Sequence, residues 1–340
     1  MIKYFTVIFF FVVVGYSQES LSYEKELTNK QNYNYIDVSA IHETENFVLR
    51  GSLTTPKSNF EKIVVIVPGA GKDTRNCHFV LAEDFLKKNI AVFRYDEKGL
   101  GASEGEYSHL KNGIISKAWD LYYLIKRLKE IDIVKGKKIV LLGHSEGGFI
   151  TIGAIEKGAK VDYLLQWSTP IVSRGSLFKY QIKSGENKQE HNLKYSDDAT
   201  KYAVIDSINN IVANNSELNN TDLRKVIISS MKKSGFKEKS FRWYITFPNY
   251  LELLRSDFQP TYKNRTIPMS YIIGSKDIHV DPIENVELLK SYNKSNIEIK
   301  VFEGLNHYLN NEDISVVTQD IYKINEKAEE YIIHWVLKQK

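Results

Sequence analysis

Residues 137–150 read KKIVLLGHSEGGFI, and the reading of this stretch decides the fold. An apolar run from Ile139 to Leu142 stops at Gly143-His144-Ser145-Glu146-Gly147-Gly148, and a helix-compatible segment follows. Buried strand, glycine-pinched turn, helix: this is the local form of a G-x-S-x-G elbow. There a strained backbone pushes the serine hydroxyl out over the end of the sheet. Ser145 is therefore the candidate nucleophile. Gly143 and Gly147 flank an apex too tight for a β-carbon, and Gly148 is expected to let the new helix pack closely on its strand. The backbone N–H of Glu146, at the positive end of that helix, faces the place where an oxyanion would form. A glycine-rich loop with an incidental serine is the competing interpretation, and the flanking strand and helix weigh against it.

Working outward, the 340 residues suit one large α/β domain with an insertion, or two modest domains. A formal charge of +4, with basic and acidic residues spread along the chain, gives no nucleic-acid footprint. The first 17 residues, with one basic residue (Lys3) before an apolar run from Tyr4 to Val14, have the form of a signal peptide. Gly15 and Ser17 supply the small side chains before the cleavage point, and the run is shorter than the ~20 residues that span a bilayer. Export to the periplasm or beyond is expected, without a stable membrane anchor. The single cysteine, Cys77, excludes an internal disulfide and reads as a small buried residue.

Residues 18–34 form a polar lead-in, and alternation from Tyr35 to Thr55 predicts a hairpin. The continuous run Ile63–Val67 marks a strand covered on both faces and ends in Pro68-Gly69-Ala70-Gly71. A helix over Cys77–Lys88, a strand over Ala91–Tyr95 and helical spacing from Ile114 to Leu128 lead to the Ser145 strand. The G-x-G at Gly99 and Gly101 lacks the rest of a dinucleotide-binding pattern, so a Rossmann site is rejected. After a strand at Val161–Trp167 the alternation stops. Residues 171–264 show helical spacing and many aromatics, including Trp243, Tyr244, Phe247 and Tyr250, before strands return at Met269–Ile273 and Ile297–Phe302. The last helix is expected to carry Ile321, Ile324, Ala328, Tyr331, Ile332 and Trp335 on one face. The predicted fold is thus α/β: a mostly parallel, doubly covered sheet from 35–170 and 265–340, interrupted by a helical insertion at 171–264.

A serine nucleophile needs a base and an acid, following it in that fold in the order serine, acid, histidine. After Ser145 come His191, His279, His307 and His334. His334 sits in the last helix and His191 in the insertion, whereas His307 follows the last strand on a loop at the sheet's carboxyl end. Asp277 is the first carboxylate past the preceding strand. Asp281 is the runner-up, read more simply as a cap before a proline-started helix, and His279 is kept at the rim. The second oxyanion donor is assigned to the backbone of Ala70, with Gly69 as the alternative. Lys72, Asp73 and Arg75 are read as bracing that loop. The histidines lack a metal-ligand spacing, so neither metal nor organic cofactor is expected.

Together, Pro68-Gly69-Ala70-Gly71 with Asp73 and Arg75, the run Arg94–Ser103 (RYDEKGLGAS), the G-H-S-E-G-G elbow, the Asp277 turn and Asn306-His307 resemble the α/β-hydrolase superfamily. Within it the chain is similar to bacterial EstD-like carboxylesterases and neighbouring serine-aminopeptidase-like hydrolases. The resemblance implies Ser145, Asp277 and His307 as a triad, and an insertion acting as a lid. The oxyanion loop departs from the H-G-G-G form of many lipases. The expected function is that of a secreted serine hydrolase cleaving carboxylic esters of a small-molecule substrate through an acyl-enzyme. An exo-acting peptidase is the alternative, needing an acidic group for a free amine among Glu186, Glu190, Asp197, Asp198 and Glu217. A non-catalytic binding module on the same fold is a third reading, disfavoured by the intact order of nucleophile, acid and base.

Overall fold

The computed structural model describes residue 27 and residues 30–108, 111–172, 175–186, 197–311 and 319–340. The expected signal peptide, most of the polar lead-in, His191 and Glu190 lie outside the described residues. Strands β1 (Tyr33–His42) and β2 (Phe47–Pro56) form the hairpin, followed by β3 (Lys62–Val67), α1 (Phe79–Lys87), β4 (Ala91–Tyr95) and α2 (Ile114–Glu130). Next come β5 (Lys138–His144), α3 (Glu146–Glu156) and β6 (Tyr163–Trp167). Among the described residues, six helices separate β6 from β7: α4 (Ser176–Ser184), α5 (Asp198–Ala213), α6 (Asn220–Lys233), α7 (Glu238–Thr246), α8 (Pro248–Arg255) and α9 (Gln259–Asn264). The chain closes with β7 (Met269–Gly274), α10 (Pro282–Ser291), β8 (Ile297–Phe302) and α11 (Glu326–Lys338).

The eight strands lie in the order β1-β2-β4-β3-β5-β6-β7-β8. The hairpin joins antiparallel at one edge and every pairing from β4 to β8 is parallel. Among the parallel strands the chain steps back from β3 to β4 and then crosses to β5 and continues the other way to β8, which makes the gap between β3 and β5 a switch point. Open α/β sheets place ligands at the carboxyl end of such a point. Period-two alternation divides the core. Ile63, Val65 and Val67 of β3 face α2 and α3, while Val64 and Ile66 face α1 and α11. The intervening helices have a core of their own, in which Phe178, Phe241 and Tyr244 are fully buried.

Two helix starts differ from the sequence pattern. His78 takes a left-handed conformation (φ 49°), which a helix cannot run through, so α1 begins at Phe79 and leaves buried Cys77 ahead of it. The last helix begins at Glu326 because the Asn325 side chain caps it, accepting from the Lys327 N–H at 3.1 Å. Ile321 and Ile324 therefore precede the helix, and Ile321 sits in a 3₁₀ turn at 319–322. Among the described residues, no helix is long and apolar enough to cross a membrane.

Candidate active site

Strand β5 is sandwiched between β3 and β6, with Gly143 level with Val67 on one side and Gln166 on the other. The elbow therefore emerges at the centre of the sheet. Ser145 sits at the apex with φ 55° and ψ −120°, a conformation that costs a non-glycine residue on the order of 1–3 kcal/mol. The surroundings hold it there: Ser145 N–H donates to Trp167 O at 2.8 Å, and Ser145 O accepts from Gly148 N–H at 3.0 Å. Close approach explains the glycines. A β-carbon on Gly147 would stand 2.3 Å from Val67 O, and one on Gly148 would stand 1.9 Å from Thr169 Oγ1. Gly148 thus fits the helix against the end of β6 as well as against its own strand. On β5 itself, Gly143 is the residue that leaves room for Gly147 and Gly148.

Asp277 and His307 follow β7 and β8, and both are buried. His307 Nδ1 lies 2.8 Å from Asp277 Oδ2, while Asp277 Oδ1 accepts from the N–H groups of His279 and Val280 at 2.8 and 2.9 Å. The carboxylate is thereby aimed, and with Nδ1 donating to it, Nε2 is the nitrogen left for the cavity that His307 and Ser145 both line. Trp167 fixes the His307 backbone by donating its indole N–H to the His307 carbonyl at 3.1 Å. Around the His307 ring stand other rings: His144 at 5.0 Å and His279 at 4.7 Å between centroids. Burial pushes the His144 imidazole well below its usual range, reinforced by the charge of neighbouring His307. Burial, then the Arg94 cation, pushes His78 down to about 3. Both are therefore neutral spacers at pH 7. Asp281 caps α10, accepting from Ile283 and Glu284 N–H at 2.9 and 3.1 Å.

Glu146 opens α3, and Ala70 lies on the loop after β3; both line the cavity. That loop runs against the elbow, since a β-carbon on Gly69 would meet Ser145 Cβ at 3.4 Å. Arg75 braces it, with Nη2 2.7 Å from Asp96 Oδ2. Asp73 and Lys72 line the cavity as well. Burial raises the Asp73 carboxyl to about 6, against the opposing pull of Lys117.

The cavity holds about 470 Å³. Phe178, Trp243 and Tyr250 of the intervening helices line it, as do Phe149 and Tyr308 of the sheet domain. Of the other aromatics singled out from the sequence, Tyr244 is buried in the helices' own core and Phe247 packs on Tyr250 at 5.3 Å between centroids. Helix α4 is fastened to the Asp277 loop: Tyr180 and Ser184 hydroxyls donate to the carbonyls of Asp277 and Ile278, each at 2.6 Å, and Gln181 donates to that of His279 at 3.4 Å. Glu186 lines the cavity, its Oε1 3.5 Å from His279 Nδ1. Asp197 caps α5, Asp198 pairs with Lys201 at 3.0 Å, and Glu217 is exposed. Sequence reasoning missed the hold of Trp167 on His307, the bond of Tyr180 to the Asp277 loop and the place of Ile321 on the cavity wall, all set by tertiary placement that no local pattern announces. Among the described residues, no cluster of histidine, cysteine and acidic side chains is arranged to hold a metal ion.

Residues 58–314 match the family model for serine aminopeptidase, S33. A search of curated proteins finds no match for the chain. Among solved structures, the Pyrococcus furiosus esterase Pf2001 is 20% identical, with a TM-score of 0.53 over 92% of this chain and 95% of that one. A thermophilic esterase from Thermogutta terrifontis is 16% identical, with a TM-score of 0.51 over 90% and 98%. A bromoperoxidase from Bacillus anthracis is 14% identical, with a TM-score of 0.52 over 89% and 100%. These likenesses establish the fold, and a fold shared by esterases and a bromoperoxidase does not by itself select the chemistry.

Proposed function

The chain belongs to the serine aminopeptidase S33 family of α/β hydrolases, and from that premise we propose that it is a serine hydrolase cleaving small carboxylic esters through an acyl-enzyme. One observation carries this reading: His307, 2.8 Å from the buried Asp277 carboxylate, lines the same cavity as a serine held in a strained elbow. Ser145 Oγ attacks the ester carbonyl and His307 Nε2 takes its proton. Asp277 holds the imidazolium that results, and the proton then passes to the departing alcohol. Negative charge on the tetrahedral oxygen is received by the N–H groups of Glu146 and Ala70. Water, activated by the same histidine, releases the acid. No cofactor enters these steps. The helices between β6 and β7 act as a lid, and Trp243, Tyr250 and Phe178 form the apolar wall against which an acyl chain lies.

Fluorophosphonate labelling tests the nucleophile. The parent takes up the probe at Ser145 and hydrolyses p-nitrophenyl esters, whereas Ser145→Ala keeps its fold and does neither. Hydrolysis persisting in Ser145→Ala would remove the mechanism.

Glu186 supports a second reading, as an exo-acting peptidase. It places a carboxylate on the cavity wall beside His279, where a free amine could be received. Faster turnover of aminoacyl-naphthylamides than of esters, abolished in Glu186→Gln, would favour it. Export through residues 1–17 is part of the proposal. Its test is the amino terminus of the protein recovered outside the cytoplasm, which should begin at Gln18.

A further inference from the structure

Beneath the elbow lies a charged cluster that the proton shuttle does not use. Lys117 of α2, Glu97 of the turn after β4 and Glu146 of α3 are all buried. Lys117 Nζ stands 2.7 Å from Glu97 Oε1, 3.2 Å from Glu146 Oε1 and 3.5 Å from the Gly71 carbonyl. One ammonium thus joins the loop carrying Ala70, the residue following Ser145 and the turn after β4. Glu146 extends the tie outward, because its Oε2 accepts from Asn249 Nδ2 at 2.9 Å, and Asn249 belongs to α8. Asp73 closes the ring, its carbonyl accepting from Glu97 N–H at 3.3 Å.

Buried ion clusters are weak stability devices, since apolar residues of similar volume serve as well or better. What this one supplies is alignment. Its members sit on both segments that offer an N–H to the developing oxyanion, and such donors must hold their geometry within about 0.5 Å. We propose that Lys117 is a positioning residue that aligns the Ala70 and Glu146 donors, and that Glu146 carries this alignment to Asn249 of the lid. The proposal rests on the serine-hydrolase reading above. Burial disfavours the Lys117 cation, but the Glu146 and Glu97 carboxylates more than reverse this, so the ammonium stays charged; burial also raises the Glu97 carboxyl to about 7 against the pull of Lys117.

The test is kcat per active site, counted by fluorophosphonate titration, for parent, Lys117→Met, Lys117→Arg, Glu146→Gln and Asn249→Leu on a small p-nitrophenyl ester. Removing an oxyanion donor outright costs about 10²–10³ in kcat, so misaligning one should cost at least about tenfold. Lys117→Met is expected to lose that much in kcat with KM within about twofold of the parent, and Lys117→Arg to recover most of it. Asn249→Leu should show a smaller loss that disappears in the Lys117→Met background, because the tie is already broken there. Should Lys117→Met yield no titratable sites, Glu146→Gln carries the test. It keeps the side-chain length and an oxygen for Asn249 but drops the charge facing Lys117, and the same kcat loss is expected. A kcat per titrated site within twofold of the parent in Lys117→Met, or in Glu146→Gln where the former does not fold, overturns the inference and leaves the hydrolase reading standing. Failure of the parent itself to take up the probe removes both.

Discussion

Replacing Asp277 with asparagine separates orientation from packing at the base. The two side chains have nearly the same shape, and an asparagine Oδ1 still accepts the His279 and Val280 N–H groups that Asp277 receives at 2.8 and 2.9 Å. The loop should keep its course. The other end changes sign: where a carboxylate oxygen lay 2.8 Å from His307 Nδ1, an amide NH₂ now points a donor at it. Nδ1 must then become the acceptor, which moves the ring proton to Nε2, the nitrogen needed to deprotonate Ser145. The imidazolium also loses its counter-charge at a buried site. For a tautomer reversed in this way kcat falls about 10⁴-fold, or about 5 kcal/mol of transition-state stabilisation. The assay is kcat on a p-nitrophenyl ester at pH 7, alongside thermal unfolding to show the fold is kept. Asp281→Asn serves as control, since asparagine caps a helix as well as aspartate does. An Asp277→Asn enzyme within tenfold of the parent, or an Asp281→Asn enzyme that lost activity in its place, would refute the assignment of the acid.

The cavity wall and the intervening helices' own core should respond differently to truncation. Trp243→Ala and Tyr250→Ala are expected to shift preference among acyl chain lengths in an ester series, with probe labelling retained. Tyr244→Ala, removing a fully buried ring, should instead destabilise by about 3–5 kcal/mol in denaturant unfolding. Acid should unfold the protein early: His78, neutral in the fold down to about 3, contributes stability that is complete above pH 6.5 and is lost as pH falls toward 3. At about 1.4 kcal/mol per tenfold change in proton affinity that loss is on the order of 5 kcal/mol, and His78→Phe should flatten the stability–pH curve below pH 6.5. Chelator treatment should leave ester hydrolysis unchanged; a loss restored by added zinc or calcium would count against a metal-free mechanism.

The parts of the molecule readable in the sequence are those whose cause is local. A strand covered on both faces must be apolar at consecutive positions, which is why Ile63–Val67 and Ala91–Tyr95 stand out and fall where the strands do. The elbow is equally legible, because turn, strain and helix start are all packed into a few residues. Asp277 and His307 could be nominated from chain order and strand ends, and the structure brings them within 2.8 Å of each other. The features that escaped notice depend on partners distant in the chain. Trp167 reads as the end of an apolar strand, and only the fold places its N–H under the His307 carbonyl 140 residues away. Lys117 falls within a stretch of helical periodicity and gives no sign that it points inward. The misplaced start of α11 has the opposite origin. Ile321 and Ile324 continue the helical spacing by coincidence, and the chain is stopped by a cap whose backbone N–H is tied to Leu309 O at 2.8 Å.

The three hydrogen bonds from α4 to the carbonyls of Asp277, Ile278 and His279 have a bearing on how such a molecule can be altered. They mean that the helical segment is not an interchangeable cassette. A shorter segment, or one borrowed from a relative to change substrate range, would leave those carbonyls to water and free the turn that aims the acid. Activity would fall on every substrate alike, masking whatever selectivity had been grafted in. A chimera that keeps Tyr180, Gln181 and Ser184 and exchanges only helices α5 to α9 retains that seat, so the swap can be read as a change in preference alone.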